Sequence, residues 1–202
     1  MVIAGAGGHA REILDLLDAN SSQQCFFFDN VNANTPATIF GMPVISTIIE
    51  LKKQFALDAN FIVGTGNPAA RKKLFELMVL HGGKPLTIAS KDAIVSRYNT
   101  VVEPGCNVMS FVFLSNNVSV GKGTLINTRA NIHHDVSVGE FCEIGPSVVL
   151  SGNVQIGNHS LIGAGAVVLP GIKIGNNVKV GAGAVVTKDI SDNKTVKGVP
   201  AQ

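Results

Sequence analysis

From Val102 to Val186 every sixth residue is Val, Ile or Leu, fifteen positions without a break. Seven of them are followed by glycine: Gly121, Gly139, Gly145, Gly157, Gly163, Gly175 and Gly181. Two residues before most of them stands a small or β-branched residue, such as Val118, Thr124, Ala130, Val136 or Val148. A period of six is neither the 3.6 of a helix nor the 2 of an alternating strand. It fits short strands separated by sharp bends, with the aliphatic side chain and the small residue two before it pointing inward together. A Gly or Asn beside the aliphatic residue is expected to give the bend a positive φ. Three such strands close a triangular coil of 18 residues, and coils stacked at ~4.8 Å make a parallel β-helix. Fifteen units predict five coils with no long loop leaving them.

The cysteines fit this register. Cys106 and Cys142 both take the small inward position, 36 residues and therefore two coils apart. That puts them at ~9.6 Å, beyond disulfide reach, as buried structural thiols. Cys142 is therefore a poor nucleophile candidate. The odd, scattered set of three, with Cys25, suits a reducing compartment.

The N-terminal half has a different rhythm. Val2-Ile3-Ala4 reads as a buried strand, followed by Gly5-Ala6-Gly7-Gly8-His9-Ala10 and a helix carrying Ile13, Leu14, Leu16 and Leu17. Cys25 to Phe28 is a second strand, ending at Asp29-Asn30. Ser46 is a plausible N-cap for a helix that runs to about Phe55. Phe61-Ile62-Val63 is a third strand, followed by Gly64-Thr65-Gly66-Asn67 and a helix on which Arg71-Lys72-Lys73 reads as a solvated face. Alternation of strand and helix means a small parallel sheet. Lys84 to Thr100 reads as a connector. The expected division is an α/β domain at 1–84 and a parallel β-helix at 85–202.

Gly5, Gly7 and Ala10 match G-x-G-x-x-A between a strand and a helix, with Asp29 at the end of the next strand. Such glycines let the backbone approach a pyrophosphate at a helix N-terminus, and the acid accepts from a ribose or base. A full dinucleotide fold needs about twice this sheet, so a single nucleotide fits better. His9 has two readings, a phosphate contact or a cap on the turn.

Composition narrows the function classes. Sixteen basic and fourteen acidic residues leave a net charge of +2, which excludes a strongly basic nucleic-acid binder. With 46% hydrophobic and 15% charged residues, the chain folds around a sizeable core. No stretch reaches the ~20 apolar residues that span a bilayer, and no signal peptide is visible. A cytoplasmic protein without membrane insertion is expected.

Taken together, Gly5-Ala6-Gly7-Gly8-His9, Phe28-Asp29-Asn30, Gly64-Thr65-Gly66-Asn67, Ile126-Asn127-Thr128, His134-Asp135, Ser151-Gly152-Asn153, Gly163-Ala164-Gly165 and Gly198-Val199-Pro200 carry a resemblance over nearly the full length. The chain resembles the left-handed β-helix, hexapeptide-repeat sugar acetyltransferases, in the group of sialic-acid O-acetyltransferases and nucleotide-aminosugar N-acetyltransferases. The resemblance implies a homotrimer with acetyl-CoA as co-substrate lying along the prism between subunits. It implies a nucleotide-linked amino sugar held by the small domain through Gly5, Gly7, Gly8, His9, Asp29, Asn30, Gly64 and Asn67. His134 matches the general base and Asp135 the acid that orients it. Gly152 matches the amide that holds the thioester carbonyl, and Glu143, Gly163, Ala164 and Pro200 fall in the acetyl-CoA region. Where relatives often carry a second histidine this chain has Glu143, and His133 stands where they often carry Glu.

The chemistry agrees with those assignments. Amine attack on a thioester needs a base, a carboxylate to orient it and a donor for the developing oxyanion. Alternation points His133 and His134 to opposite sides, so one of them serves a given pocket. O-acetylation of a sugar hydroxyl would use the same apparatus. A purely structural prism would show a flat Thr ladder, which the outward Lys122, Asn127, Glu140 and Lys173 do not form. A metal hydratase would need three convergent histidines, and His133 and His134 are adjacent, so no metal is expected.

Overall fold

The computed structural model describes residues 1–17, 24–32 and 34–202. Backbone proximity groups Met1–Gly66 with Ala70–Leu86, and Asn67–Ala69 with Thr87–Gln202.

The first unit is built on β1 (Val2–Ala4), β2 (Phe26–Phe28), β3 (Thr38–Ile39), β4 (Met42–Ile45), β5 (Asn60–Val63) and β6 (Lys84–Pro85). Their order in the sheet is β3-β4-β2-β1-β5-β6. β1, β2, β4, β5 and β6 run parallel, and β3 is an antiparallel edge. Buried parallel strands read as continuous apolar runs, and Val2, Ile3, Phe27, Phe28, Phe61 and Ile62 are fully buried. The chain leaves β1 toward β2 on one side and returns to β5 on the other. That reversal opens a crevice beyond the carboxyl ends of these strands, where ligands of such sheets bind.

The helices differ in detail from the sequence reading. α1 spans only Gly8–Glu12 and passes into a 3-10 turn at Ile13–Leu16. α2 (Ile48–Leu57) is capped by Thr47, not Ser46. Glu50 stands three residues after Thr47, so the two form a reciprocal capping box that Ser46 has no partner to make. α3 covers Pro68–Leu80. Phe75, from α3, meets Phe61 edge-on at 5.5 Å between ring centroids, sealing the sheet on that side.

The second unit is a parallel β-helix of two-residue strands arranged in three sheets. From Val101–Val102 to Val167–Val168 each strand pairs in register with the strand 18 residues on, as Asn107 with Leu125 and Val108 with Ile126, and in the last coil the step shortens to 16, as Lys179 with Thr195. From Val108 to Val186 all the six-step aliphatics are buried. The small residues two before them fill the same core.

Two sequence readings need correction. The supposed connector at Lys84 to Thr100 is structured: Lys84–Pro85 extends the first sheet, and Ile88–Ala89 and Ile94–Val95 open the prism. These strands pair 19 residues ahead instead of 18, so a strict step of six runs past them. The glycines after the aliphatic residues are not the positive-φ positions. Positive φ falls two residues later, at every sixth residue from Phe111 to Gly183. The glycines answer a steric demand instead. A Cβ at Gly121 would stand 2.7 Å from the carbonyl carbon of Gly139 one coil on, and one at Gly157 would stand 2.6 Å from that of Gly175.

Inside the prism runs a polar column that the hydrophobic pattern hides. The side chains of Cys106, Thr124, Cys142 and Ser160, one per coil, donate to the carbonyls of Gly121, Gly139, Gly157 and Gly175 at 2.8–3.1 Å. Thr124 and Ser160 also accept from the amides of Cys142 and Val178. Burial pushes the Cys142 thiol up to about 12, so it stays a neutral donor.

Candidate functional site

In the first unit the crevice at the strand ends holds a cavity of about 540 Å³. Its walls come from the turn Gly5–Gly7 after β1, residues 28–32 after β2, Gly64 and Thr65 after β5, and one face of α3. Gly64 is glycine because a Cβ there would stand 2.7 Å from that of Ala10. Gly7 and Gly8 have no such reason: a Cβ on either would meet nothing within 4 Å, and neither has a positive φ. Their bareness faces open space, as close backbone approach by a ligand requires.

Gly5, Gly7, Asp29, Asn30 and Gly64 are therefore gathered in one cavity, while Gly8, His9 and Asn67 lie outside its walls. The Asp29 carboxylate serves its own loop. It accepts from the amides of Val31 and Asn32 and from the side chains of Asn32 and Thr35. Burial opposes its ionisation, but these bonds outweigh it and hold the carboxyl below its usual range. His9 Nδ1 faces Glu12 at 3.3 Å. Burial and then the Arg71 charge lower its pKa, so it is neutral near pH 7. Arg71 corrects the expectation of a solvated face: it is fully buried, and its guanidinium donates to the carbonyl of Thr65 at 2.6 Å. It thereby fixes the loop that floors the cavity. Lys73, from the same run, does line the cavity.

In the prism, His134, Asp135 and Gly152 meet at the edge between the sheet of Asn131–Ile132 and the sheet of Ser137–Val138. Asp135 adopts φ 61°, which turns its carboxylate back along the edge. Its Oδ2 lies 2.7 Å from His134 Nδ1. Its Oδ1 accepts from Asn117 Nδ2 at 2.8 Å, one coil back. The Asn117 bond, followed by the His134 bond, holds the Asp135 carboxyl below its usual range. Asp135 as acceptor fixes the imidazole with its proton on Nδ1 and leaves Nε2 basic. The ring lies over Gly152. A Cβ there would stand 2.5 Å from Cε1 and 2.7 Å from Nε2, so a side chain at 152 would push the ring aside. Among the described residues the Gly152 amide makes no hydrogen bond.

The other sequence-derived positions scatter within one chain. Glu143 projects from the first sheet of the prism, in line with Leu125 and Leu161, not from the edge that bears His134. Gly163 and Ala164 occupy the next edge, where a Cβ at Gly163 would stand 2.6 Å from the amide nitrogen of Ala182. Pro200 is in the terminal turn, which returns to Val185 through the Ala201 amide. His133 is set edge-on to Phe113, and His159 stacks on Phe141. Asn117 escaped the sequence reading, although its place 18 residues before Asp135 was a usable signal. The described residues hold no cluster of three or more His, Cys, Asp or Glu suited to a metal ion. No described helix is long and apolar enough to cross a membrane.

Comparison with known proteins identifies both halves. Residues 1–78 match the PglD N-terminal domain, and residues 153–188 match the bacterial transferase hexapeptide (six repeats). The acetyltransferase domain of PglB from Neisseria gonorrhoeae, solved with acetyl coenzyme A, is 32% identical. Its alignment covers 100% of this chain and 97% of that one at a TM-score of 0.91. The chain belongs to the hexapeptide-repeat sugar acetyltransferases. Its prism is their left-handed β-helix. PerB from Caulobacter crescentus, solved with CoA and GDP-perosamine, is 31% identical over 100% of this chain and 95% of its own, at a TM-score of 0.90. GDP-perosamine N-acetyltransferase of Escherichia coli O157:H7 is 32% identical over 138 residues, 65% of this chain. That match spans 61% of the relative, less than two thirds of its length.

Proposed function

We propose that this protein transfers the acetyl group of acetyl-CoA to the amino group of a nucleotide-linked amino-deoxy sugar. The observation that carries the reading is the juxtaposition of His134 and Gly152, a base held by a carboxylate beside an unengaged amide. The sugar amine attacks the thioester carbonyl, forming the C–N bond. His134 Nε2 takes the amine proton, Asp135 stabilises the imidazolium, and the Gly152 N–H donates to the oxyanion. As the C–S bond breaks, the proton passes to the departing CoA thiolate. No covalent enzyme intermediate is needed, in keeping with the buried, neutral Cys142.

The nucleotide belongs in the cavity at Gly5, Gly7, Asp29, Asn30 and Gly64, and the relatives solved with GDP-perosamine support that chemistry. The assembly in this reading is a homotrimer, with acetyl-CoA between neighbouring prisms along Gly152, Gly163, Ala164 and Pro200. Such an assembly accounts for the separation of Glu143 from His134 within one chain. The test is CoA thiol release from purified protein with acetyl-CoA and a panel of GDP-, UDP- and dTDP-linked amino sugars. At least one amino sugar nucleotide should be turned over by wild type and not by His134→Ala, with acetyl-CoA binding retained in the variant. Turnover by His134→Ala at the wild-type rate overturns the base assignment. Failure of every amino sugar with turnover of a hydroxyl acceptor overturns N-acetylation.

A further inference from the structure

Asp135 and His134 are neighbours on an exposed edge, and about half of each side chain is open to water. A free pair of this kind samples many rotamers, so adjacency alone does not aim an imidazole. Asn117 supplies the missing constraint. It occupies the position equivalent to Asp135 one coil earlier, with φ 60° against 61°. Asn is among the few side-chain-bearing residues that take this backbone conformation readily. The two residues are stacked so that the Asn117 amide points along the column at Asp135 Oδ1. The prism core fixes both backbones: Val118 and Val136, the next residue in each case, are buried.

We propose that Asn117 is a positioning residue for the transfer reaction, holding the Asp135 carboxylate so that its other oxygen aims His134. The inference rests on His134 being the base. Asn117 touches no reacting atom. It acts through a relay of two hydrogen bonds, Asn117 Nδ2 to Asp135 Oδ1 and His134 Nδ1 to Asp135 Oδ2, at 2.8 and 2.7 Å. The lowered pKa of Asp135 agrees with this donor. An amide, unlike a cation, holds the carboxylate without neutralising the charge that the imidazolium needs.

The test uses full-length Asn117→Gly and Asn117→Asp. Both accept the left-handed backbone, and both lack the donor. In Asn117→Gly, kcat should fall about tenfold with the KM of each substrate unchanged. The Asp135 carboxyl, followed by carbon NMR, should titrate at higher pH than in wild type. Histidine nitrogen NMR should show the His134 Nδ1–H form diluted by the other tautomer. Asn117→Asp sets a carboxylate against Asp135 and should be at least as slow. Wild-type kcat and an unchanged tautomer signal in Asn117→Gly overturn the proposal, as does a wild-type rate in Asn117→Asp. If His134→Ala stays active the base reading fails instead, and the tautomer signal still reports whether Asn117 orients the ring.

Discussion

Two edges of one prism are built from the same repeat and treated oppositely. On the edge after Val120, Val138, Ile156 and Ile174, the amides two positions on are all capped by side-chain oxygens from the adjacent coil. Glu103 caps Lys122, Asn158 caps Glu140, Asn176 caps Asn158 and Asp192 caps Asn176. On the edge after Ile132 and Leu150, the equivalent amides of His134 and Gly152 make no hydrogen bond among the described residues. Folded chains satisfy most of their amides, so the bare edge is the informative one. The first edge spends its donors on holding coils together, and the second leaves those of His134 and Gly152 open.

Substitutions at the two edges should separate rate from stability. His134→Ala carries the largest expected effect, a loss of about 10²–10⁴ in kcat at an unchanged melting temperature. Gly152→Ala forces the ring off its seat, and a displaced base should cost about a hundredfold in kcat while acetyl-CoA still binds. Thr124→Val, inside the column that serves the capped edge, strips partners from the Gly139 carbonyl and the Cys142 amide. It should lower unfolding free energy by about 2 kcal/mol in urea with little change in kcat. Asn158→Ala removes one rung from the capped edge and should cost about 1 kcal/mol, again with kcat retained. A marked kcat loss in either of the last two would erase the contrast between edges.

The smallest effect at neutral pH concerns Cys142. Its folded pKa is raised from 9.0 to about 12, so the stability tied to the neutral thiol is complete below pH 9. It drains away as pH rises from there toward 12, because the unfolded chain releases the proton first. Cys142→Ser should flatten the alkaline arm of the stability curve between pH 9 and 11. An arm of unchanged slope would contradict the burial of this thiol.

The prism was legible because each of its strands repeats one contact at one spacing. Where spacing changed, at Ile88 to Val95, legibility ended, since a single extra residue shifts the count and leaves the fold intact. The glycines were seen and misread: their pattern shows where something small is required, and not whether φ or a neighbouring coil requires it. Arg71 looked solvated because it stands in a run of three cations on a helix, whereas its partners are backbone carbonyls that no side-chain pattern displays. The pairing of His134 with Gly152 was visible as an interval of 18, and Asn117 stood at the same interval on the other side. Asp29 shows the reverse limit. Its position at a strand end marks a cavity, but its carboxylate is spent on a local Asx turn with Val31 and Asn32 and on Thr35.

The unbroken 18-residue register also governs how such a molecule can change length. Removing six residues from the middle would turn everything above the cut by a third of a revolution and carry His134 and Gly152 to separate sides. Removing eighteen would shorten the column by one storey and leave each side facing as before. Growth and loss by whole storeys, away from those that carry Asn117, His134 and Gly152, are the alterations this architecture tolerates.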